Sequence, residues 1–212
     1  MHVAILIGHF PPGSFGGAEL QAEGWARRLS DVHRVTVLTR HDPPTTPRHE
    51  TREGFTLVRL PVSRVPVWRT VADLGAIRHA LRTLTPRPDV LLCFQTFISG
   101  LAGVQAGREL GVPALVWIRG EAEYRLGASR VHRLVSPAVW RDAAGVLVQS
   151  EQNRVDLLDE VTRHAPRLLG AMRQKLAVVP NGLDLPEGPF APGTRVLSVG
   201  RLIPEKGMDT VL

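Results

Sequence analysis

The sequence predicts an α/β fold in which a parallel sheet carries helices on both faces. Two observations predict it. Apolar runs of strand length recur along the chain, beginning with "HVAILIG" at His2–Gly8, and runs without polar alternation suit strands covered on both sides. Segments with helical spacing lie between these runs, and strands alternating with helices build a parallel sheet.

The elements follow in order. His2–Gly8 is the first strand, closed by a glycine. Ala18–Ser30 has helical spacing, with Leu20, Trp25 and Leu29 on one face and Glu19, Glu23, Arg27 and Arg28 mostly off it. Arg34–Thr39 and Phe55–Leu60 read as strands. Between them "HDPPTTPRHETREG", His41–Gly54, is rich in Pro, Thr and charge and is expected to be a mobile surface loop. A helix is expected over Thr70–Leu84, a strand over Asp89–Gln95, a helix around Ile98–Leu110 and a strand over Pro113–Arg119. A helical stretch broken by Pro137 leads to a strand at Gly145–Ser150. Ser150 can cap the long helix that follows, which is expected to end near Lys175, and Leu176–Pro180 closes the series.

Right-handed crossovers would bring all the strand C-termini to one edge, where open α/β sheets bind ligands. The loops after Gly8, Thr39, Gln95, Arg119, Ser150 and Pro180 are therefore the places to look for a site. Residues 1–180 are expected to form one domain. Residues 181–193, "NGLDLPEGPFAPG", are rich in Gly and Pro and read as a linker. Residues 194–212 offer one strand, one loop and the start of a helix, too little to bury a core. They are expected to open a second domain that the sequence leaves truncated.

Composition narrows the function classes. Hydrophobic residues at 43% and charged residues at 22% fit a globular protein and exclude a wholly disordered one. The net charge of +6 admits acidic partners, but all but two of the 26 basic residues are arginines, spread along the chain. No basic run is interleaved with aromatics, so no nucleic-acid partner is expected. Cys93 is the lone cysteine and the eight histidines never take helical i, i+4 spacing, so neither a disulfide framework nor a metal site is expected. No apolar stretch reaches the roughly 18 residues that cross a bilayer, and the N-terminus lacks a basic leader region. A soluble cytoplasmic protein is the expectation.

Three stretches can carry chemistry. "GHFPPGSFGGAE" joins the first strand to the first helix, with Gly16 and Gly17 at the helix start, where backbone N–H groups and the helix dipole favour an anion. The same glycines can simply make a tight turn. The dinucleotide pattern G-x-G-x-x-G is absent, which disfavours a nicotinamide enzyme. "WIRGEAEYR" places Arg119, Glu121 and Glu123 just past a buried strand. A guanidinium beside two carboxylates can orient a polyhydroxylated acceptor or assist proton transfer, or it can be an ion pair that closes a loop. Arg201 and Lys206, in "SVGRLIPEKG", can neutralise a diphosphate or stay solvated. Asn181 and Gly182 suit a turn that needs positive φ, or a binding role equally.

With these pieces in order, the chain resembles the N-terminal half of glycosyltransferase family 4, the retaining transferases of GT-B fold. The resemblance rests on "GGAE" after the first strand, "VLVQSE" before the long helix, "VVPNGLD" at the linker and "SVGRLIPEKGMDTVL" at the end. It implies two Rossmann-like domains with the active site in the cleft between them, and a nucleotide-diphosphate sugar as donor with no further cofactor. Gly16, Gly17, Arg201 and Lys206 are then the donor diphosphate residues. Arg119 and Glu121 are the catalytic candidates, although family members often place a histidine or an acid in that loop. Glu19 and Glu123 are placed on the acceptor side. The acceptor would be a glycan, a lipid-linked sugar or a small molecule.

The family's paired glutamates and its pocket for base and ribose lie further along the second domain, so these 212 residues are expected to be inactive alone. A non-catalytic acceptor- or partner-binding module of the same fold is the alternative, and a nucleotide-sugar epimerase a third reading. Pro61–Thr70 and Ser129–Arg141 mix arginine with Trp68 and Trp140. Such surfaces can dock peripherally on the inner face of an anionic membrane, or both tryptophans can be core.

Overall fold

The computed structural model describes residues 1–63 and 65–182 together with Gly188 and Gly193. The chain divides into two units, Met1–Gly182 and Leu183–Leu212, and every element below belongs to the first. Its strands are β1 (His2–Leu6), β2 (Arg34–Arg40), β3 (His49–Arg52), β4 (Phe55–Leu60), β5 (Val90–Phe94), β6 (Ala114–Trp117), β7 (Gly145–Val148) and β8 (Leu176–Val178). They form one sheet in the order β3-β4-β2-β1-β5-β6-β7-β8. All the pairings are parallel except β3 with β4. The helices are α1 (Gly17–Ser30), α2 (Pro66–Thr83), α3 (Leu101–Leu110), α4 (Arg130–Asp142), α5 (Glu151–His164) and α6 (Leu169–Lys175).

The α/β architecture is as the alternation predicts, with helices on both faces. Successive residues of a strand point to opposite sides, so β1 feeds two cores. Val3 and Ile5 pack with Ala22 and Ala26 of α1, while Ala4 and Leu6 pack with side chains of α2 through α6 such as Leu81, Val104, Trp140, Leu157 and Met172. On α1 the buried stripe is Ala22 and Ala26; Leu20, expected on the core face, is 49% exposed. Small residues bring that helix close to the sheet, and Trp25 beside them meets Trp117 edge-on at 5.4 Å.

Four local expectations are corrected. Part of the expected loop His41–Gly54 is strand β3, held to the edge by Arg52 and Arg59 reaching the same Glu50. Pro137 does not break α4, which continues through it with one backbone bond unmade. The long helix after Ser150 ends at His164, and a 3-10 turn at Pro166–Leu168 separates it from α6. Before α3 the chain makes a π-type turn over Thr96–Gly100 rather than a plain helix start. Ser150 does cap α5, accepting a bond from Asn153 N at 3.1 Å.

The strand order creates a reversal. From β1 the chain builds outward through β2 and β4, then crosses to β5 and builds the other way through β6, β7 and β8. The crevice at the C-terminal ends of β1 and β5 is the place where such sheets hold ligands.

Candidate active site

The backbone is strained beside this reversal. Gln95, just past β5, has φ 85° and ψ 148°, and Ile98 has φ 37°. Non-glycine residues rarely adopt such angles, at a cost of order 1–3 kcal/mol each. Gly8, just past β1, faces Gln95 closely enough that a Cβ there would meet its Oε1 at 3.8 Å.

Arg119 follows β6 and lies over two aromatic rings, 4.8 Å from the Trp117 centroid and 5.3 Å from that of Phe94. Its Nη2 donates to Asn181 Oδ1 at 2.9 Å. Asn181 donates to Gln149 Oε1 at 3.2 Å, and Gln149 Nε2 donates back to the Arg119 carbonyl at 2.8 Å. This closed ring ties together the ends of β6, β7 and β8. Gln21 of α1 joins it from the other side, exchanging two bonds with the Gly182 backbone at 2.7 and 3.2 Å.

Glu123 braces the same loop from below. One carboxylate oxygen accepts from Arg119 N at 2.8 Å and the other from Thr96 N at 2.6 Å. Thr96 in turn accepts from the indole of fully buried Trp140 at 3.1 Å. Glu123 therefore spans the loops after β5 and β6. Burial holds its carboxyl above the usual carboxylate range, against the two backbone donors and the Arg119 charge that favour ionisation. Burial likewise pulls the Arg119 guanidinium down to about 10, opposed by the charges of Glu123 and Glu19.

Three N–H groups in this cluster are buried and find no partner among the described residues: Arg119 Nε, Arg119 Nη1 and Trp117 Nε1. An unsatisfied buried donor costs about 1–3 kcal/mol. Donors left open at a ligand-binding edge are suited to oxygens that arrive with a ligand.

The residues singled out in the sequence are placed as follows. Gly16 is the N-cap of α1 and Gly17 its first residue. The Glu19 carboxylate folds over the Gly16 α-carbon, where a Cβ would collide with it, while Gly17 faces open space. Glu19 and Glu123 both act on the Arg119 charge. Glu121 is not brought to Arg119. It sits in a 3-10 turn, more than half exposed, and pairs with Arg125 four residues on. Arg201 and Lys206 lie outside the described residues. Asn181, expected for a turn or for binding alike, supplies the oxygen that holds Arg119. Gln21 and Thr96 carried no sequence signal beyond their places near strand and helix ends, and Gln149 stood in "VLVQSE" without a role assigned to it. Of the two tryptophans in the arginine-rich surfaces, Trp140 is core, while Trp68 is 63% exposed.

Comparisons with known proteins bear on the family and the fold. A sequence profile for the glycosyl transferase 4-like domain matches residues 16–182. No curated protein sequence matches. Among solved structures, sucrose-phosphate synthase from Thermosynechococcus elongatus superposes with a TM-score of 0.67 at 15% identity, over 84% of this chain and 47% of that one. Anabaena HepE in complex with UDP-glucose gives 0.59 at 17% identity, over 87% and 44%. The UDP-GlcNAc 2-epimerase of Methanocaldococcus jannaschii gives 0.52 at 17% identity, over 85% and 46%. At these identities the likeness is one of fold, and this chain spans about half the length of those proteins.

Proposed function

Because this chain belongs to the glycosyl transferase 4-like domain family, we propose that it is the acceptor-side part of a retaining glycosyltransferase that uses a nucleotide-diphosphate sugar. The observation that carries the reading is the half-buried guanidinium of Arg119, whose buried Nε and Nη1 are left without a partner among the described residues at the sheet's ligand edge. Anabaena HepE, similar in fold, binds UDP-glucose, which supports a donor of this type here.

In this reading the sugar's anomeric bond to the leaving phosphate breaks as a bond to an acceptor oxygen forms on the same face. The acceptor proton passes to the leaving phosphate, so no side chain is assigned as general base. The N–H groups of Gly16 and Gly17 serve the donor phosphates, with Arg201 and Lys206 on the same diphosphate, and no further cofactor is required. Glu19 now covers the Gly16 position, so a phosphate there requires its carboxylate to swing away. Arg119 holds the reacting oxygens through Nε and Nη1, because fixed donors in a water-poor site stabilise charge as it develops. Glu123 is a positioning residue that fixes the Arg119 backbone, and Glu121 secures the outer side of the loop through Arg125.

The experiment is to assay the full reading frame containing residues 1–212 for nucleoside diphosphate release from sugar nucleotides, and to read the product's anomeric configuration by NMR. Release with retention is expected. Failure with every common donor, or an inverted product, would overturn the reading. Donor epimerised without acceptor would favour the epimerase, whose fold is also similar.

A peripheral membrane contact at the inner face belongs to the same proposal. Among the described residues no helix is long and apolar enough to cross a membrane, but Val65, Trp68 and Val71 are each more than half exposed at the start of α2. Vesicle flotation tests it: loss of binding in Trp68→Ser is expected, and no binding to either anionic or neutral vesicles would end it.

A further inference from the structure

On the β2 side of the strand reversal lies an open pocket of ≈ 710 Å³ whose walls include Arg40, Arg48 and Arg69, with His9 and His41 and, among the described lining residues, one carboxylate, Asp42. The three arginines come from separate parts of the chain: the end of β2, the segment before β3 and the first turn of α2. The size falls within the range of small-ligand sites, about 300–1,000 Å³. Arg40 is anchored from behind, giving Nε and Nη2 to Asp73 Oδ2 at 3.0 and 2.5 Å, with Asp73 itself only 3% exposed. Arg48 and Arg69 have no ion-pair partner among the described residues. A smaller cavity, lined by Gly8 and sharing Arg40 and Pro61 with the larger one, lies between the pocket and the end of β1.

Resting on the transferase reading, we propose that this pocket binds a phosphate carried by the acceptor. Guanidinium forks match phosphate oxygens bidentately; with Arg40 paired to Asp73, Arg48 and Arg69 beside Asp42 still leave an excess of positive charge that a neutral sugar would not offset. The pocket lies beside the end of β1, on the opposite side from the Arg119 cluster, so it suits an anchor on the non-reacting end of the acceptor. The phosphate can belong to a soluble phosphomonoester or to a lipid headgroup, and the exposed Trp68 beside Arg69 on α2 admits either.

The test measures binding of glycerol 3-phosphate and of glycerol by calorimetry, and flotation with phosphatidylglycerol and phosphatidylcholine vesicles. Wild type is compared with Arg48→Gln/Arg69→Gln, whose side chains are exposed, and circular dichroism confirms the fold of both. Saturable binding of glycerol 3-phosphate but not glycerol, weakened at least tenfold in the double variant, supports a soluble phosphate. Binding confined to phosphatidylglycerol vesicles and lost in the variant supports a headgroup. No binding in either arm, or equal binding by wild type and variant, overturns the proposal. The full reading frame separates the two readings. Transfer to a phosphorylated acceptor at an unchanged rate and KM in the double variant rejects the pocket and keeps the transferase. Variant-sensitive phosphate binding without turnover of any sugar nucleotide does the reverse.

Discussion

Glu123 shows how one side chain can hold two loops together through their backbones. Its two oxygens stop two backbone N–H groups, of Thr96 and Arg119, from being orphaned. Glu123→Ala leaves both without an acceptor, and at about 1–3 kcal/mol each the melting midpoint is expected to drop by several degrees, since about 1 kcal/mol moves a domain of this size by ~2–4 °C. The pH dependence has a definite sign. Because burial raises the folded-state pKa of Glu123 above its ordinary value, the folded state binds the extra proton in that window. Stability from this group is then full below the ordinary carboxylate value and is lost as pH rises through the raised one. Melting curves from pH 4 to 8 are expected to show wild type losing ground to Glu123→Gln as pH rises; a gap independent of pH would contradict it. The sequence made Arg119, Glu121 and Glu123 visible together. Which glutamate reaches back to the Arg119 backbone depends on the 3-10 turn at Glu121–Glu123, and a spacing of two residues cannot disclose that.

At the scale of elements, α3 lies unusually close to the sheet. Gly100, Gly103 and Gly107 line its contact, and a Cβ on Gly103 would collide with the Cys93 sulfur. Burial pushes that thiol up to about 12, so Cys93 acts as packing rather than as a nucleophile. A Cβ on Gly107 would stand 2.6 Å from the Val112 carbonyl oxygen and 3.4 Å from the Ala114 Cβ. Backbone cannot move aside as a flexible side chain can, so Gly107→Ala is expected to cost about 1–3 kcal/mol. Gly75→Ala in α2, where nothing lies within 4 Å, is expected to gain up to about 1 kcal/mol from helix propensity. Denaturant titration of the two variants checks this, and equal effects would refute the close-packing account. Strand existence was legible here because the buried runs are rich in apolar and β-branched residues, even where Thr36, Thr39 or Arg59 is buried among them. Strand β3 was not, because "HETR" is polar and its pairing rests on tertiary ion pairs through Glu50. The end of α5 was missed for a similar reason: its apolar spacing continues past the turn at Pro166.

For the whole molecule, the decisive feature is the strand order, which turns scattered loops into one edge. Gly8, Gln95, Arg119, Gln149 and Asn181 span most of the sequence yet follow strands β1, β5, β6, β7 and β8 of one sheet. The rule that ligands gather at strand C-termini pointed to these loops. It could not say that two side-chain amides, Gln149 and Asn181, would close a ring with Arg119 in which Asn181 holds the guanidinium. Arg119 is half-buried at some cost, and its pKa falls to about 10 for that reason. A charge retained under such a penalty is expected to act on a ligand rather than to support the fold. The direct measurement compares nucleoside diphosphate release and melting midpoint for wild type and Arg119→Met in the full reading frame. The account predicts a loss of at least about 100-fold in rate, as for removal of a transition-state donor, with the midpoint held within about 3 °C, equivalent to ~1 kcal/mol. A variant that releases product within about threefold of wild type, less than 1 kcal/mol of barrier, or one that loses activity only because it unfolds, would contradict it.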